Sequence, residues 1–464
     1  MYKLSIGLEI HVELLTKTKM FSSSANSSNN EPNKNINEID LALPGTLPSV
    51  NKEAVILAIK LAKALNMEIN SSLKFDRKNY FYSDLPKGYQ ITQFFNPIGI
   101  NGILQDDGVN VKIERIHLEE DTAKQTKNGD DILLDYNRAG VPLIEIVTKP
   151  DIHSKEECIL FLKSLKQLLI FLQISDGKME DGSLRVDLNI SISKNNELGT
   201  RAEIKNINSF YSVINAIDYE YKRQFNLIEN NQKMNIQTRR WNDEKLETIF
   251  MRDKKSDDYR YMTEPNIPAI DILNLINSTP LNQNELPKNI KQKLIDDGVN
   301  NDVITQLLED YPLYKSFKYV SEHVEDQKSA INWIVFELKK LINANNDSTE
   351  NIKKNVLDEI IKMIKLIQDN KINGKQAKLV IEEIYKNNEN IDSIIKKLNL
   401  IQITDENSIR DILSNIIKNN PDIVSQYKER PERVEKFIFG LLMKETKGQA
   451  NPIVAKNILI NLLK

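Results

Sequence analysis

Cysteine is almost absent: Cys158 stands alone in 464 residues. No disulfide framework can form within the chain, and a reducing compartment is expected. Apolar runs are short, none reaching the roughly 18 residues that suggest a membrane span. The start, MYKLSIGLEIHVELL, lacks the charged region, long apolar stretch and small-residue cleavage site of a secretory signal. No membrane contact is expected, and the expected setting is the cytoplasm, with an organelle left open. Neither sign of charge dominates, since 63 Lys and Arg face 66 Asp and Glu for a formal net charge of −3. Any RNA contact must then come from local basic patches rather than a global field. Three phosphate-binding signatures are missing as well: the GxxxxGK[ST] loop, the GxGxxG turn and the kinase catalytic loop. No GxSxG or Ser-Lys arrangement offers a nucleophile, and Cys158 sits in the helix-like run ECILFLKSLKQLL, where a core position is expected. A nucleophilic catalyst, if one is needed, belongs on another chain.

Hydrophobic residues make up 40% of the chain, enough for a substantial core. At roughly 100–200 residues per domain the length allows two to four domains. The texture changes near residue 290. Before it, Pro and Gly punctuate short alternating segments, the pattern of strands and loops. After it, stretches such as NIKKNVLDEIIKMIKLIQDN repeat Ile and Leu at helical spacing. A second seam lies near LNLIQITDENSIRDIL, where Asp405 or Ser408 can cap the next helix. The predicted units are a mixed one over 1–290, a helical one over 291–403 and a small helical tail over 404–464. The Asn-rich run from Ser22 to Asn37 reads as a loop.

Four segments of the first unit carry polar faces, and in the first the alternation is strict. In Leu8–Leu14, strand geometry sends Leu8, Ile10, Val12 and Leu14 to one face and Glu9, His11 and Glu13 to the other, roughly 7 Å apart per pair of residues. Glu with His can hold a divalent cation; the same face can equally be a solvated outer surface. Ser183–Ser191 repeats the design with Arg185, Asp187 and Asn189, a set suited to a phosphate beside a metal. Thr200–Asn206 aligns Arg201, Glu203 and Lys205. Ile113–Asp121 aligns Arg115, His117 and Glu119, then continues into Glu120 and Asp121. Each alone is also a plausible wet strand, but together they imply one charged sheet face opposite an apolar one. Such a face fits Mg-nucleotide chemistry.

Between Phe75 and Gln90 basic and aromatic residues interleave over a turn-rich stretch; rings stack on bases, and Lys and Arg meet phosphates. A tightly packed loop remains the alternative, as it does for Asp257–Tyr261. From Lys428 onward eight Lys and Arg face four Glu, an excess that suits an RNA backbone or simply a surface helical hairpin. Gly448 reads as a helix stop and Pro452 as a restart.

The segments IGLEIHVEL, ALPGTLPSVN, FDRKNYFYSDLPKGYQI, RIHLEED, DYNRAGVPLIEIV, MEDGSLRVDLN, EIKNINSF, DDYRYMTEP and KGQANP occur in one order along the whole chain. In these the sequence closely resembles the B subunits of aspartyl/glutamyl-tRNA amidotransferases. The resemblance implies an α+β fold: a mixed cradle domain with an antiparallel sheet, then an all-α helical domain and a small YqeY-like all-α tail. It implies a ligase component for protein biosynthesis that binds ATP and the charged 3′ end of Glu-tRNA(Gln) or Asp-tRNA(Asn). ATP would phosphorylate the side-chain carboxylate, and ammonia would then displace phosphate. The implied partners are the amidase, or A, subunit, which frees ammonia from glutamine, and the small C subunit of a heterotrimer.

On this basis Glu9, His11, Glu119, Glu120, Asp187 and Glu203 are the expected catalytic acids and base, with Glu9, His11, Glu119 and Glu203 as metal ligands. Arg185 and Lys205 are expected at the nucleotide phosphates. Lys78, Tyr80, Tyr82 and Lys87 are expected at the tRNA acceptor end. Mg²⁺ is the expected ion. Some family members carry two Cys pairs that bind zinc; here the matching positions are Ser22, Ser24, Asn37 and Asp40, so no structural zinc is expected. The MRxKE-type segment reads Met251-Arg252-Asp253-Lys254-Lys255, and the PEPD-type turn reads Thr263-Glu264-Pro265-Asn266, so no role is assigned to Lys255 or Asn266. The competing reading is a tRNA-binding scaffold with no chemistry of its own.

Overall fold

A computed structural model describes residues 2–27, 31–106, 108–195, 197–253, 259–398, 400, 405–446 and 448–463. Contacts divide the chain into two compact units, Met1–Asp296 and Asp297–Lys464. The expected seam at 290 falls inside the helix Pro287–Asp296. The expected seam near 403 lies outside the described residues, as do Lys254, Lys255, Asp257, Asp258 and Lys447.

The first unit is built on a nine-stranded sheet. In chain order its strands are β1 (Lys3–Glu13), β2 (Glu68–Ile69), β3 (Gly99–Asp106), β4 (Val109–Glu120), β5 (Pro142–Thr148), β6 (Leu184–Ser193), β7 (Ala202–Ile207), β8 (Gln237–Asn242) and β9 (Glu247–Asp253). They lie side by side as β9-β8-β7-β6-β1-β5-β4-β3-β2. Every pairing is antiparallel except β7 with β8. The expected antiparallel sheet is present, with that one parallel exception.

Alternation along the strands decides which face is which. Leu8, Ile10 and Val12 of β1, Ile116 and Leu118 of β4, Ile144 and Ile146 of β5, and Leu184, Val186 and Leu188 of β6 are all buried. Each such side chain contributes about 1.5–3 kcal/mol by leaving water. Three helices join these strands in one core: α1 (Lys52–Ala64), α2 (Lys155–Phe171) and α3 (Phe210–Glu229). Their N-caps follow the sequence: Asn51 accepts from the Glu53 amide at 2.9 Å, Ser154 from Glu157 at 3.0 Å and Ser209 from Ser212 at 3.0 Å. Cys158 of α2 is fully buried, and burial pushes its thiol up to about 12. It is a core residue, as expected.

A separate three-stranded sheet pairs Met262–Thr263, Asp76–Asn79 and Tyr89–Thr92. It is fastened to the end of β4. Glu120 Oε1 accepts the Ile91 amide at 3.0 Å, Gln93 Oε1 accepts the Leu118 amide at 3.0 Å, and the Thr92 hydroxyl donates to Glu119 at 3.2 Å.

The second unit is helical throughout its described elements. Asp405 caps the helix Glu406–Asn419, accepting the Ser408 amide at 2.8 Å and the Ser408 hydroxyl at 2.6 Å. Both residues named at that seam therefore take part, one as cap and one as donor. The helix Pro431–Glu445 is followed by Gly448 at φ +78°, and Pro452 opens the last helix. Ile409, Leu413, Ile438, Leu442 and Leu459 form a shared apolar cluster in this region. Among the described residues no helix is long and apolar enough to cross a membrane.

Candidate functional site

The polar residues of β1, β4, β5, β6 and β7 line one cavity of about 1390 Å³. Its walls include Glu9, His11, Glu119, Arg185, Asp187, Glu203 and Lys205, together with Lys78, Tyr80 and Tyr82 from the small sheet and the loop after it. Sheet register explains the gathering. His11 lies opposite Glu145 on one side and Arg185 on the other, Glu145 lies opposite His117, and Glu9 lies opposite Asp187. Directly opposed residues of an antiparallel pair have Cβ atoms about 4.5–5.5 Å apart. Separate acids along the chain thus become neighbours.

The acids do not form one group. The expected ligands Glu9, His11, Glu119 and Glu203 divide between two clusters: His11 with Glu119 and Glu145, and Glu9 with Asp187 and Glu203. In each, one potential ligand atom per residue lies within 4.8 Å of the others. The division follows strand position, since β1 contributes Glu9 toward β6 and β7 and His11 toward β5 and β4.

In the first cluster His11 Nε2 lies 3.2 Å from Glu119 and 3.3 Å from Glu145, while His117 Nε2 lies 3.2 Å from Glu145. Burial alone would lower the His11 pKa, but the Glu145 and Glu119 carboxylates outweigh it and raise it to about 10. Burial would raise Glu145, yet the two imidazoles hold it well below the usual carboxylate range. Glu119 is likewise lowered, against its burial, by Lys78 and His11. Lys78 is raised despite burial, through Glu119 and Glu145. Lys78, expected at the tRNA acceptor end, lines the same cavity, with its Nζ 5.0 Å from the centre of the Tyr259 ring.

In the second cluster Lys205 contacts Asp187 and lies 3.2 Å from Glu203. Its pKa is raised because Asp187 and Glu203 overcome the cost of burial. Asn189 donates to Glu9 at 3.0 Å, and the Thr238 hydroxyl donates to Glu203 at 2.9 Å. Arg185 forms a two-pronged pair with Asp121, at 3.3 and 2.7 Å.

Both donor sets fit divalent ions. Glu9, Asp187 and Glu203 offer oxygen alone, the preference of Mg²⁺. His11, Glu119 and Glu145 add an imidazole, which suits a wider range of metals. Asn189 Oδ1 and His117 Nδ1 are buried without a hydrogen-bond partner. Buried polar atoms left in that state await a ligand or water.

Two expected site residues lie elsewhere. Glu120 and Lys87 line a smaller cavity of about 260 Å³ and pair with each other at 2.6 Å. The reason is parity: Glu120 follows Glu119 on the strand, so its side chain leaves on the opposite face. There it anchors the small sheet through Ile91. Tyr80 and Tyr82 do line the cavity. Tyr80 commits its hydroxyl to Gln90 at 3.1 Å, whereas Tyr82 is exposed.

Sequence reasoning passed over Glu145, a lone acid inside the apolar run Leu143–Val147. That contradiction of its surroundings was the available signal. It also assigned no role to Phe94 and Arg252, which line the cavity with Tyr259 and Tyr261. Phe94 stacks on Tyr261 with centroids 3.9 Å apart.

The four positions matching the zinc pairs of some relatives converge on a carboxylate. Ser22 and Ser24 donate to Asp40 at 2.7 and 2.5 Å, the Asn37 amide donates at 3.0 Å, and fully buried Lys19 lies 3.5 Å away.

Comparison with known proteins agrees with this architecture. A family described as the GatB/GatE catalytic domain matches residues 4–276, and one described as the GatB domain matches residues 315–463. The B subunit of the aspartyl/glutamyl-tRNA(Asn/Gln) amidotransferase of Ureaplasma urealyticum is 49% identical over 476 residues, covering 100% of this chain and 99% of that protein. The corresponding protein of Malacoplasma penetrans is 48% identical over 466 residues, with 99% and 97% covered. That of Mycoplasma mobile is 44% identical over 462 residues, with 98% and 96% covered. The chain belongs to the family of aspartyl/glutamyl-tRNA(Asn/Gln) amidotransferase B subunits.

Proposed function

We propose that the cavity on the polar sheet face is where this protein turns the side-chain carboxylate of Glu-tRNA(Gln) or Asp-tRNA(Asn) into an amide. The observation that carries the reading is the convergence of two carboxylate clusters and two cations, Arg185 and Lys205, on one cavity. A carboxylate is a poor electrophile, and its acyl phosphate has a good leaving group. In the first step a carboxylate oxygen of the charged amino acid bonds to the γ-phosphorus of ATP, and the bond to ADP breaks. In the second, ammonia bonds to the acyl carbon, the bond to phosphate breaks, and the nitrogen gives up a proton to the cleft.

Arg185 and Lys205 would hold the nucleotide phosphates, and fixed cations of this kind offset charge as the phosphoryl group moves. Mg²⁺ held by Glu9, Asp187 and Glu203, and a second ion on His11, Glu119 and Glu145, would neutralise phosphate charge. Tyr82, with Tyr80 behind it, would receive the unpaired acceptor end of the tRNA. Lys78 keeps the acids of the first cluster in balance. The partners we propose are the amidase, or A, subunit supplying ammonia and the small C subunit, assembled in the cytoplasm.

The test is Glu119→Ala combined with Glu203→Ala in the reconstituted complex. Glutamine-dependent ATP cleavage and amide formation should both disappear while tRNA is still bound. Normal rates would return the protein to the role of a tRNA-binding scaffold.

A further inference from the structure

We infer that Asp121 is a positioning residue whose carboxylate fixes the Arg185 guanidinium in the orientation that meets nucleotide phosphate. The inference rests on the phosphoryl-transfer reading of the cleft.

Arg185 is the second residue of β6, and Asp121 follows directly after β4; β1 and β5 lie between those strands in the sheet. The pair therefore ties together two strands that share no backbone hydrogen bonds. Asp121 is almost fully buried and its backbone is held on both sides, with its amide donating to Val141 O at 2.9 Å and its carbonyl accepting from Gly140 at 3.0 Å. Oδ1 also accepts the Thr122 amide at 2.8 Å. The carboxylate is thus a fixed acceptor.

A long arginine in a wet cleft otherwise samples many rotamers, and a planar fork seated on a fixed carboxylate samples few. Both Nη atoms of Arg185 are engaged by Asp121, while its Nε is buried with no partner. An unpaired buried donor is unfavourable, and a phosphate oxygen is the acceptor the proposed reaction brings. Neutralisation of Arg185 by Asp121 would weaken its pull on an anion, but a second cation restores it. Arg138 Nε lies 3.6 Å from Asp121, and Arg138 is itself fixed to the carbonyls of Thr122 and Ala123 at 3.0 and 3.1 Å. The trio keeps one net positive charge while gaining a defined geometry.

The measurement is calorimetric titration of the βγ-imido analogue of ATP, with Mg²⁺, into the assembled complex, without tRNA. Asp121→Asn keeps the shape and removes the charge; it should weaken binding about tenfold, the size of a lost charge-assisted hydrogen bond. Arg185→Ala should weaken it at least as much. The double variant should bind no worse than Arg185→Ala alone, because Asp121 acts only through Arg185. Thermal melts of each complex separate positioning from folding. If Asp121→Asn fails to assemble, Asp121→Glu, which keeps the charge and displaces the fork by one methylene, takes its place with the same expectations. Unchanged affinity in the Asp121 variant, or a penalty that persists in the Arg185→Ala background, overturns the inference. Unchanged affinity in Arg185→Ala removes the phosphate reading itself.

Discussion

Lys19–Asp40 and His11–Glu119–Glu145 both bring opposite charges into contact inside the first unit, and they differ in what surrounds them. Asp40 receives two serine hydroxyls, a backbone amide and the Lys19 ammonium, and Lys19 also donates to Tyr136 O at 3.3 Å. Its own chain satisfies it. The second group borders a cavity of about 1390 Å³ and includes a neighbour, His117, whose Nδ1 has no hydrogen-bond partner. Charges closed off by local donors hold a frame together. Charges that leave polar atoms unpaired beside a large cavity are arranged for something that arrives later.

The comparison can be broken most forcefully from the cleft side. Glu145→Ala should lower amide formation by on the order of a thousandfold, the scale of losing a fixed electrostatic group at a reacting centre. Its unfolding midpoint should fall only modestly, because His11 keeps Glu119, 3.2 Å away, as a partner. A large fall in stability with normal turnover would make this cluster part of the frame. Asp40→Ala should behave the other way. It leaves Lys19 buried and unpaired, so urea unfolding should record a loss of about 3 kcal/mol, while turnover per folded complex holds.

A smaller effect sharpens the frame side. Gly140 adopts φ +85°, and an added Cβ would stand 3.2 Å from Asp40 Oδ1 and 3.3 Å from Lys19 Cδ. Gly140→Ala should cost about 1–2 kcal/mol through the left-handed conformation alone, read from the same urea curves. The smallest effect is a control for burial without charge. The Cys158 thiol, raised to about 12 by its core surroundings, stays protonated at pH 8. Thiol reagents should leave the native chain unlabelled and modify it only after denaturation; rapid native labelling would mean that α2 is not packed as described.

Much of the site could be read along the chain because a strand has a period of two. The pairing of Glu9 with His11, of Arg185 with Asp187 and of Glu203 with Lys205 needed no neighbouring strand. Parity also separates Glu119 from Glu120, and the family resemblance carried Glu120 into the site against it. Glu145 was hidden because Leu143 and Val147 share its face, so the run around it is apolar on both faces and shows no alternation. The seat of Lys87 against Glu120 was not legible, because a turn-rich basic segment has no period from which to tell inward from outward. The split of the acids into two clusters depends on which strands sit beside β1, a property no single segment carries.

The sequence by itself determined the faces of the strands, the helical character of the second half, the burial of Cys158 and the family, all of which follow from local periodicity or from ordered motifs. Tertiary structure alone decided that β1 would stand between β5 and β6, and with it the two clusters, the Arg185–Asp121 tie and the exile of Glu120 to a second cavity. The physical reason is that strand order is fixed by packing over the whole core, where each pairing competes with every other, whereas side-chain parity is fixed by the backbone of one strand.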